Sequence, residues 1–225
     1  MKRELTVAAR AAVTDTLAAL NRPLADWRFR KAVRAARGPL LVTAGAGNRT
    51  LPGWLNTDIS WHAHFYLDLT RPWPVPAGAV SRIYADNVIE HFTVSTARLV
   101  LQYAFAALAP GGRIRLATPD VGQTVRAYLY DPELTARHLE RHRRVGYEVH
   151  YPVDLLRVTF SECGHHLGFC YDLNALSSEL QRAGFIDVER FLPGESNDPD
   201  LRNLEARMEP TEAATSLIVE AQRPG

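Results

Sequence analysis

The feature that most constrains this chain is the stretch Leu40-Leu41-Val42-Thr43-Ala44-Gly45-Ala46-Gly47-Asn48. A continuous apolar run ends there in two glycines one residue apart. Such a run fits a strand buried on both faces of a parallel sheet, with its C-terminal end opening onto a ligand. Glycine lacks a Cβ, so the chain can take positive φ and a ligand can lie against the backbone. A second short run, Trp54-Leu55-Asn56-Thr57, closes on Asp58. A carboxylate in that place can accept hydrogen bonds from a ribose diol. The plain alternative is a strand followed by a turn, since short glycine patterns recur by chance.

The stretch departs from the dinucleotide fingerprint. That pattern needs a third glycine where Thr50 stands, and an acid about 20 residues on, beyond a helix. Asp58 comes too soon, and Pro52-Gly53 breaks the link before a helix of ordinary length can form. No lysine followed by Ser or Thr comes after the glycines, so this is not the phosphate-cradling loop of nucleotide hydrolases. The loop is suited to a nucleoside without a pyrophosphate.

At 225 residues the chain has room for one well-packed domain with additions. Its net charge of +1 gives no bulk attraction to nucleic acid. Cys163 and Cys170 make neither a disulfide framework nor a Cys-x-x-Cys site, and a reducing cytoplasm is the expected home. Met1-Lys2-Arg3-Glu4 lacks the apolar core of a signal peptide, and no run is long enough to span a bilayer. The expectation is a cytoplasmic protein without a nucleic-acid or membrane partner. Its oligomeric state is left open, a homodimer included.

Read in order, residues 3–20 carry apolar positions at helical spacing, and Asn21-Arg22-Pro23 ends that helix and starts a second one to about Ala36. The second is basic through Arg28, Arg30, Lys31, Arg34 and Arg37, which reads as a solvated face. After Asp58, the stretch 63–67 is a short strand ending at Asp68, and the proline-rich 71–76 is irregular. Residues 80–85 alternate like a strand and end at Asp86-Asn87. Residues 95–109 form an amphipathic helix terminated by Pro110-Gly111-Gly112, and 113–118 form the next strand. Strands alternating with helices predict a parallel sheet with helices on its faces. Residues 120–164 break the alternation with two or three helices. An insertion at a strand's C-terminal end lies over the ligand crevice of such a sheet. Asp172 caps a helix to about Ala183, and strands at 185–191 and 216–221 flank a polar, loop-like stretch.

Four segments, taken together and in order, resemble the class I S-adenosylmethionine-dependent methyltransferases, and within them a bacterial branch of predicted small-molecule methyltransferases. The first is Gly45-Ala46-Gly47-Asn48-Arg49 followed by Leu51-Pro52-Gly53-Trp54-Leu55-Asn56-Thr57-Asp58. The second is Ile83-Tyr84-Ala85-Asp86-Asn87-Val88-Ile89-Glu90-His91, with its glutamate-histidine pair. The third is Leu108-Ala109-Pro110-Gly111-Gly112-Arg113-Ile114-Arg115-Leu116 with Pro119-Asp120. The fourth is Tyr171-Asp172 to Ala183-Gly184-Phe185, with Leu217-Ile218-Val219-Glu220-Ala221. The resemblance spans roughly residues 38–222. Thr43 and Ala44 stand where the wider class often has an acid, and Ala46 where the branch commonly has cysteine.

The resemblance implies a three-layer, Rossmann-like α/β fold in one domain, residues 1–225. Residues 1–37 are N-terminal helices, 38–119 the cofactor-binding half, 120–170 a helical lid and 171–225 the closing helix and strands. Seven mostly parallel strands are implied, the last antiparallel, with the lid inserted after the fifth. It implies S-adenosylmethionine as cofactor. Gly45 and Gly47 would let its amino-acid part approach the strand end, with Ala46 and Asn48 also among the cofactor-binding residues, and Asp58 would hold its ribose, Asp68 sit near its adenine edge and Asn87 line its methionyl side. Asp68 and Asn87 are equally well explained as turn caps. The activity implied is transfer of a methyl group to an O or N atom of a small metabolite. The alternative is a protein of this fold that transfers nothing and serves as a binding or scaffold subunit. The amino-base signature of nucleic-acid methylation, Asn or Asp then Pro-Pro-aromatic, is absent after residue 86.

The acceptor must lose a proton, and histidine, titrating at about 6.5, suits that task. The candidate bases are His165 or His166 in the lid, with His91 and Asp120, which follow strand ends, as rivals. His91 is also explained as an anchor of the strand-to-helix junction. Tyr151, Phe160, Phe169 and Tyr171 would wall the site from water or simply pack. His138 and His142 lie one helical turn apart, a spacing metal ligands use. They sit within Arg137-His138-Leu139-Glu140-Arg141-His142-Arg143-Arg144, where dense positive charge opposes a cation, so no metal is expected. That run reads as a solvated face, or as a face for an anionic substrate.

Overall fold

The computed structural model describes residues 2–162, 165–205 and 208–225, with side chains for all but 2–15, 18 and 166. Strands β1 (Leu40–Ala44) and β2 (Leu55–Asp58) pair in parallel, with Val42 opposite Leu55. The short β3 (Phe65–Tyr66) adds to the outer edge of β2. The chain then crosses back, and β4 (Val80–Asp86) joins the other side of β1, with Val42 opposite Ile83. Parallel β5 (Leu108–Pro119) follows. The last strand, β7 (Ser216–Gln222), slots antiparallel between β5 and β6 (Ile186–Phe191). The order is β3-β2-β1-β4-β5-β7-β6. This is the expected Rossmann-like sheet of seven strands with its last strand reversed.

One face of the sheet carries Val42, Ala44, Ile83, Ile114 and Val219, all buried. Helices α2 (Val94–Ala107) and α6 (Leu173–Arg182) cover it through Val100, Leu101, Leu176 and Leu180. Thr93 caps α2 and Asp172 caps α6, each accepting from the backbone N–H three residues on. On the opposite face Leu41 and Tyr84 pack against Trp54, Leu201 and Leu204. That layer is therefore built partly from the polar segment after β6. Arg115 on β5 fastens it: fully buried, its guanidinium holds Glu205 through two bonds of 2.7 Å, Glu220 at 2.5 Å and the Glu195 carbonyl at 2.8 Å. The segment also holds a 3-10 turn, Pro199–Leu201, and the short helix α7 (Pro210–Ala213).

Three expectations about boundaries are corrected. The N-terminal region is one helix, α1 (Lys2–Ala35), which runs through Pro23. The side chain of Asn21, expected to mark the break, instead donates to the Ala63 carbonyl at 2.9 Å. Phe29 is buried against Phe65, while Arg30, Lys31, Arg34 and Arg37 are exposed, as a solvated face requires. Second, α2 ends at Ala107, and Pro110-Gly111-Gly112 belongs to β5. Leu108 turns extended and lies opposite Val80, so strand pairing stops the helix before the glycines do. Third, β3 is shorter than residues 63–67.

The insertion is α3 (Val121–Tyr130), α4 (Pro132–Arg144) and α5 (Asp154–Ser161), followed by a 3-10 turn, His165–Leu167. It has a core of its own around Leu134, Leu139, Leu155 and Val158. It leaves from the C-terminal end of β5 and returns at Gly168, where Phe169 N–H donates to the Glu90 carbonyl at 3.1 Å. A Cβ on Gly168 would stand 1.7 Å from that carbonyl oxygen, so only glycine admits this contact. Cys170 is a free thiol, and Cys163 lies outside the described residues. Among the described residues no helix is long and apolar enough to cross a membrane.

Candidate functional site

The chain winds outward from β1 through β2 to β3, and then the opposite way from β4 to β5. The crevice between the C-terminal ends of β1 and β4 is thus a topological switch point, where open α/β sheets bind ligands. A cavity of about 350 Å³ lies there, lined by Gly45, Asp58, Asp68 and Asn87 with an apolar wall that includes Leu67, Leu69 and Phe92. Gly45 has φ +68°, and a Cβ on it would lie 2.5 Å from Val88 Cγ2, so the turn out of β1 requires glycine. Gly47 N–H donates to Asp58 Oδ2 at 2.7 Å, and Ser60 N–H to Oδ1 at 2.8 Å. Asp58 therefore ties the glycine loop to β2, and each oxygen keeps a lone pair for a ligand.

Asp68 accepts from Thr70 N–H and Oγ1, at 3.0 and 2.6 Å, and pairs with Arg71 at 3.1 Å. It is a turn cap that also lines the cavity. Asn87 takes φ 53° and donates its N–H to the Ala117 carbonyl at 2.9 Å. Ala46, Gly47 and Asn48 do not line the cavity: Ala46 N–H extends the ladder to the Thr57 carbonyl, and Gly47 and Asn48 are exposed. Arg49 pairs with Asp86, which also accepts from the Tyr84 hydroxyl at 3.0 Å. This clamp, unmarked in the sequence, holds the glycine loop against the end of β4.

A second cavity, of about 260 Å³, lies beneath the inserted helices, and Asn87 and His91 line both. His138 and His142 face it. Only 5% and 6% exposed, they do not form the solvated face that the charged run suggested. Helix α4 buries Leu134, Thr135, His138, Leu139 and His142 on one side, and Arg141 lines the cavity beside the two histidines. Arg141 reaches Glu212 at 2.5 Å and Arg144 reaches Glu209 at 2.8 Å. His138 Nε2 lies 3.2 Å from Thr215 Oγ1, and His142 Nδ1 is buried without a partner. Burial, then neighbouring positive groups, pushes both histidines down to about 4.

Where the cavities meet, a 3-10 turn, Ile89–His91, follows β4. Glu90 there is 1% exposed. Its Oε2 accepts from Thr118 Oγ1 at 3.0 Å, and its Oε1 has no partner. Burial pushes its carboxyl up to about 7. His165 Nδ1 lies 2.6 Å from the Thr159 carbonyl, which fixes the proton on that nitrogen. Its Nε2 is then an acceptor, 3.9 Å from Glu90 Oε1. The His91 and His165 rings stand 4.9 Å apart. Burial, then the His165 ring, hold His91 below the ordinary histidine value, and the Asn87 backbone opposes this. His91 faces both cavities.

Asp120 is engaged elsewhere. It caps α3 by accepting from Gln123 N–H at 3.1 Å and pairs with Arg190 at 3.0 Å. The side chain of His166 lies outside the described residues. None of Tyr151, Phe160, Phe169 and Tyr171 lines either cavity; Tyr151 and Phe169 are exposed and the buried Tyr171 meets the Phe169 ring edge-on, while Tyr147 supplies an aromatic wall of the second cavity. Glu90 escaped notice as a site residue because nothing local to Ile89-Glu90-His91 signals its burial; its Thr118 partner comes from the next strand.

No protein-family model and no curated protein matches the sequence. Solved structures with a similar chain path do exist. The CurJ carbon methyltransferase is 16% identical, with TM-score 0.48 over 85% of this chain and 50% of that one. Human N-acetylserotonin methyltransferase in complex with SAM is 15% identical, with TM-score 0.47 over 88% of this chain and 53% of that one. A chain from a complex of a Haloferax volcanii methyltransferase activator and a putative methyltransferase is 12% identical, with TM-score 0.48 over 94% of this chain and 96% of that one. The chain spans about half the length of the first two.

Proposed function

We propose that this protein is a methyltransferase that takes its methyl group from S-adenosylmethionine and passes it to an O or N atom of a small metabolite. The observation that carries the reading is the pair of cavities sharing Asn87 and His91, one at the switch point and one beneath the inserted helices. The residues of the first suit the donor. Gly45 turns the chain away without a side chain, the lone pairs of Asp58 suit a ribose, and the apolar wall with Asp68 suits an adenine.

When bound, the donor supplies an electrophilic methyl carbon, and the protein has to bind, orient and exclude water. Asn87 bounds both cavities and so holds the two reactants in line. Helices α3 to α5 close the acceptor side. An attacking hydroxyl or protonated amine must also give up a proton. His165, with its Nε2 lone pair directed away from the Thr159 bond, and His91 beside it are the groups placed to take it.

The test is calorimetry with S-adenosylmethionine and with its demethylated product, followed by a screen of small hydroxyl- and amine-bearing acceptors. Saturable binding of both ligands and methylation of one acceptor class are expected. Absence of binding to either ligand overturns the reading in favour of a binding or scaffold subunit.

A further inference from the structure

We propose that Glu90, His91 and His165 form a binding site for one first-row divalent cation at the seam between the two cavities. One ligand atom from each, a carboxylate oxygen and two ring nitrogens, lies within 4.8 Å of the others. The histidine pair that the sequence offers for a metal, His138 and His142, is a different pair on the far wall.

Three observations converge. Glu90 Oε1 is fully buried and has no hydrogen-bond partner, which leaves a polar atom aimed at the cluster without compensation. Two of the three are also held from behind. Thr118 Oγ1 donates to Glu90 Oε2, and His165 Nδ1 donates to the Thr159 carbonyl. Outer bonds of this kind orient the ligands of metal sites, and the carbonyl behind His165 fixes the tautomer that leaves its other nitrogen free. Finally, two imidazoles and one carboxylate suit manganese, iron, cobalt, nickel or zinc rather than magnesium or calcium.

Metal–nitrogen bonds of about 2.0–2.1 Å place tetrahedral ligand atoms about 3.4 Å apart. Glu90 Oε1 and His165 Nε2 are at 3.9 Å, so side-chain rotation closes the set. Three protein ligands leave positions open, and His91 and His165 line the acceptor cavity, so those positions face it. Binding of the cation is independent of the methyl donor. With the cation bound, the free nitrogens of His91 and His165 coordinate it and take no proton; its use, to hold an acceptor oxygen and ease the loss of that oxygen's proton, rests on the methyl-transfer reading.

The experiment is a titration of the metal-stripped full chain with Co²⁺, Mn²⁺ and Zn²⁺, without donor or acceptor, followed by calorimetry and by the visible bands of Co²⁺. One equivalent is expected to bind. Glu90→Gln and His165→Ala should each abolish the Co²⁺ bands, and Thr118→Val should weaken binding by roughly 10–100-fold. His142→Ala should leave cation binding unchanged. Folding of each variant is checked by its far-ultraviolet dichroism. The proposal is overturned if the parent binds no cation, or if Glu90→Gln and His165→Ala bind as the parent does. Calorimetry with S-adenosylmethionine on the same metal-free sample reports separately on the donor site.

Discussion

Asp58 performs two tasks with one carboxylate, since it holds Gly47 N–H and faces the switch-point cavity. Asp58→Ala is therefore expected to weaken S-adenosylmethionine binding by about 1.5–3 kcal/mol, roughly tenfold to a hundredfold, read by calorimetry. The two glycines before it differ. Both have positive φ, a strain of about 1–2 kcal/mol for a residue with a Cβ. Only at Gly45 does that Cβ also meet a side chain, Val88 Cγ2. Gly45→Ala should lower the urea midpoint more than Gly47→Ala. On the acceptor side, His91→Ala or His165→Ala should slow turnover by about 10²–10⁴-fold for whichever takes the proton. His142→Ala should not reproduce that loss in a steady-state assay, since its ring reaches neither Glu90 nor the junction.

Strand β5 depends on a buried charge network. Arg115 sits between Glu205 and Glu220, all three buried, and the segment after β6 is anchored through it. Removing one partner leaves buried charge uncompensated, so Arg115→Ala should cost about 3–5 kcal/mol by urea unfolding. Replacing all three residues by apolar ones of similar volume should recover most of that loss. Burial alone raises Glu205, but the Arg115 bonds and charge and the Gly194 N–H hold it below the ordinary glutamate value. Its contribution is present above the unfolded pKa and is lost as pH falls through the lower, folded one. The inserted helices depend on a narrower contact, the return past Glu90 at Gly168.

At the scale of the molecule, the insertion is docked by a face that carries two neutral histidines. His138 and His142 titrate at about 4 in the folded chain, below the ordinary 6.5. Between those values the unfolded chain binds more protons on these two residues, so their contribution to stability falls as pH drops from about 6.5 towards 4, while Glu90, held up at about 7, contributes in the opposite direction. Each histidine accounts for up to about 3 kcal/mol across that window. The urea midpoint of the parent minus that of a His138→Gln, His142→Gln double variant, measured from pH 4 to 7, should shrink as pH falls, since Glu90 titrates alike in both. The Glu205 loss lies at lower pH, below the unfolded glutamate value, so the two effects separate.

The sequence by itself determined the elements that rest on local rules. The strand ending at Gly45, the helix-free link through Pro52-Gly53, the cap at Asp172 and the helical insertion after β5 are all legible, because periodicity, capping and turn chemistry act within a few residues. Even there the local rule could lose: Pro23 does not break α1, and strand pairing at Leu108 pre-empts the glycines. Burial was decided only by the tertiary structure. Arg115 is buried only because the segment carrying Glu205 folds over it. His138 and His142 read as part of a charged surface until α4 turns that face onto Thr215 and the cavity. Glu90 and His165 are far apart in the chain and meet only when the insertion closes on the end of β4. Which side chains lose their water depends on surfaces brought together from distant parts of the chain, and no local pattern carries that information.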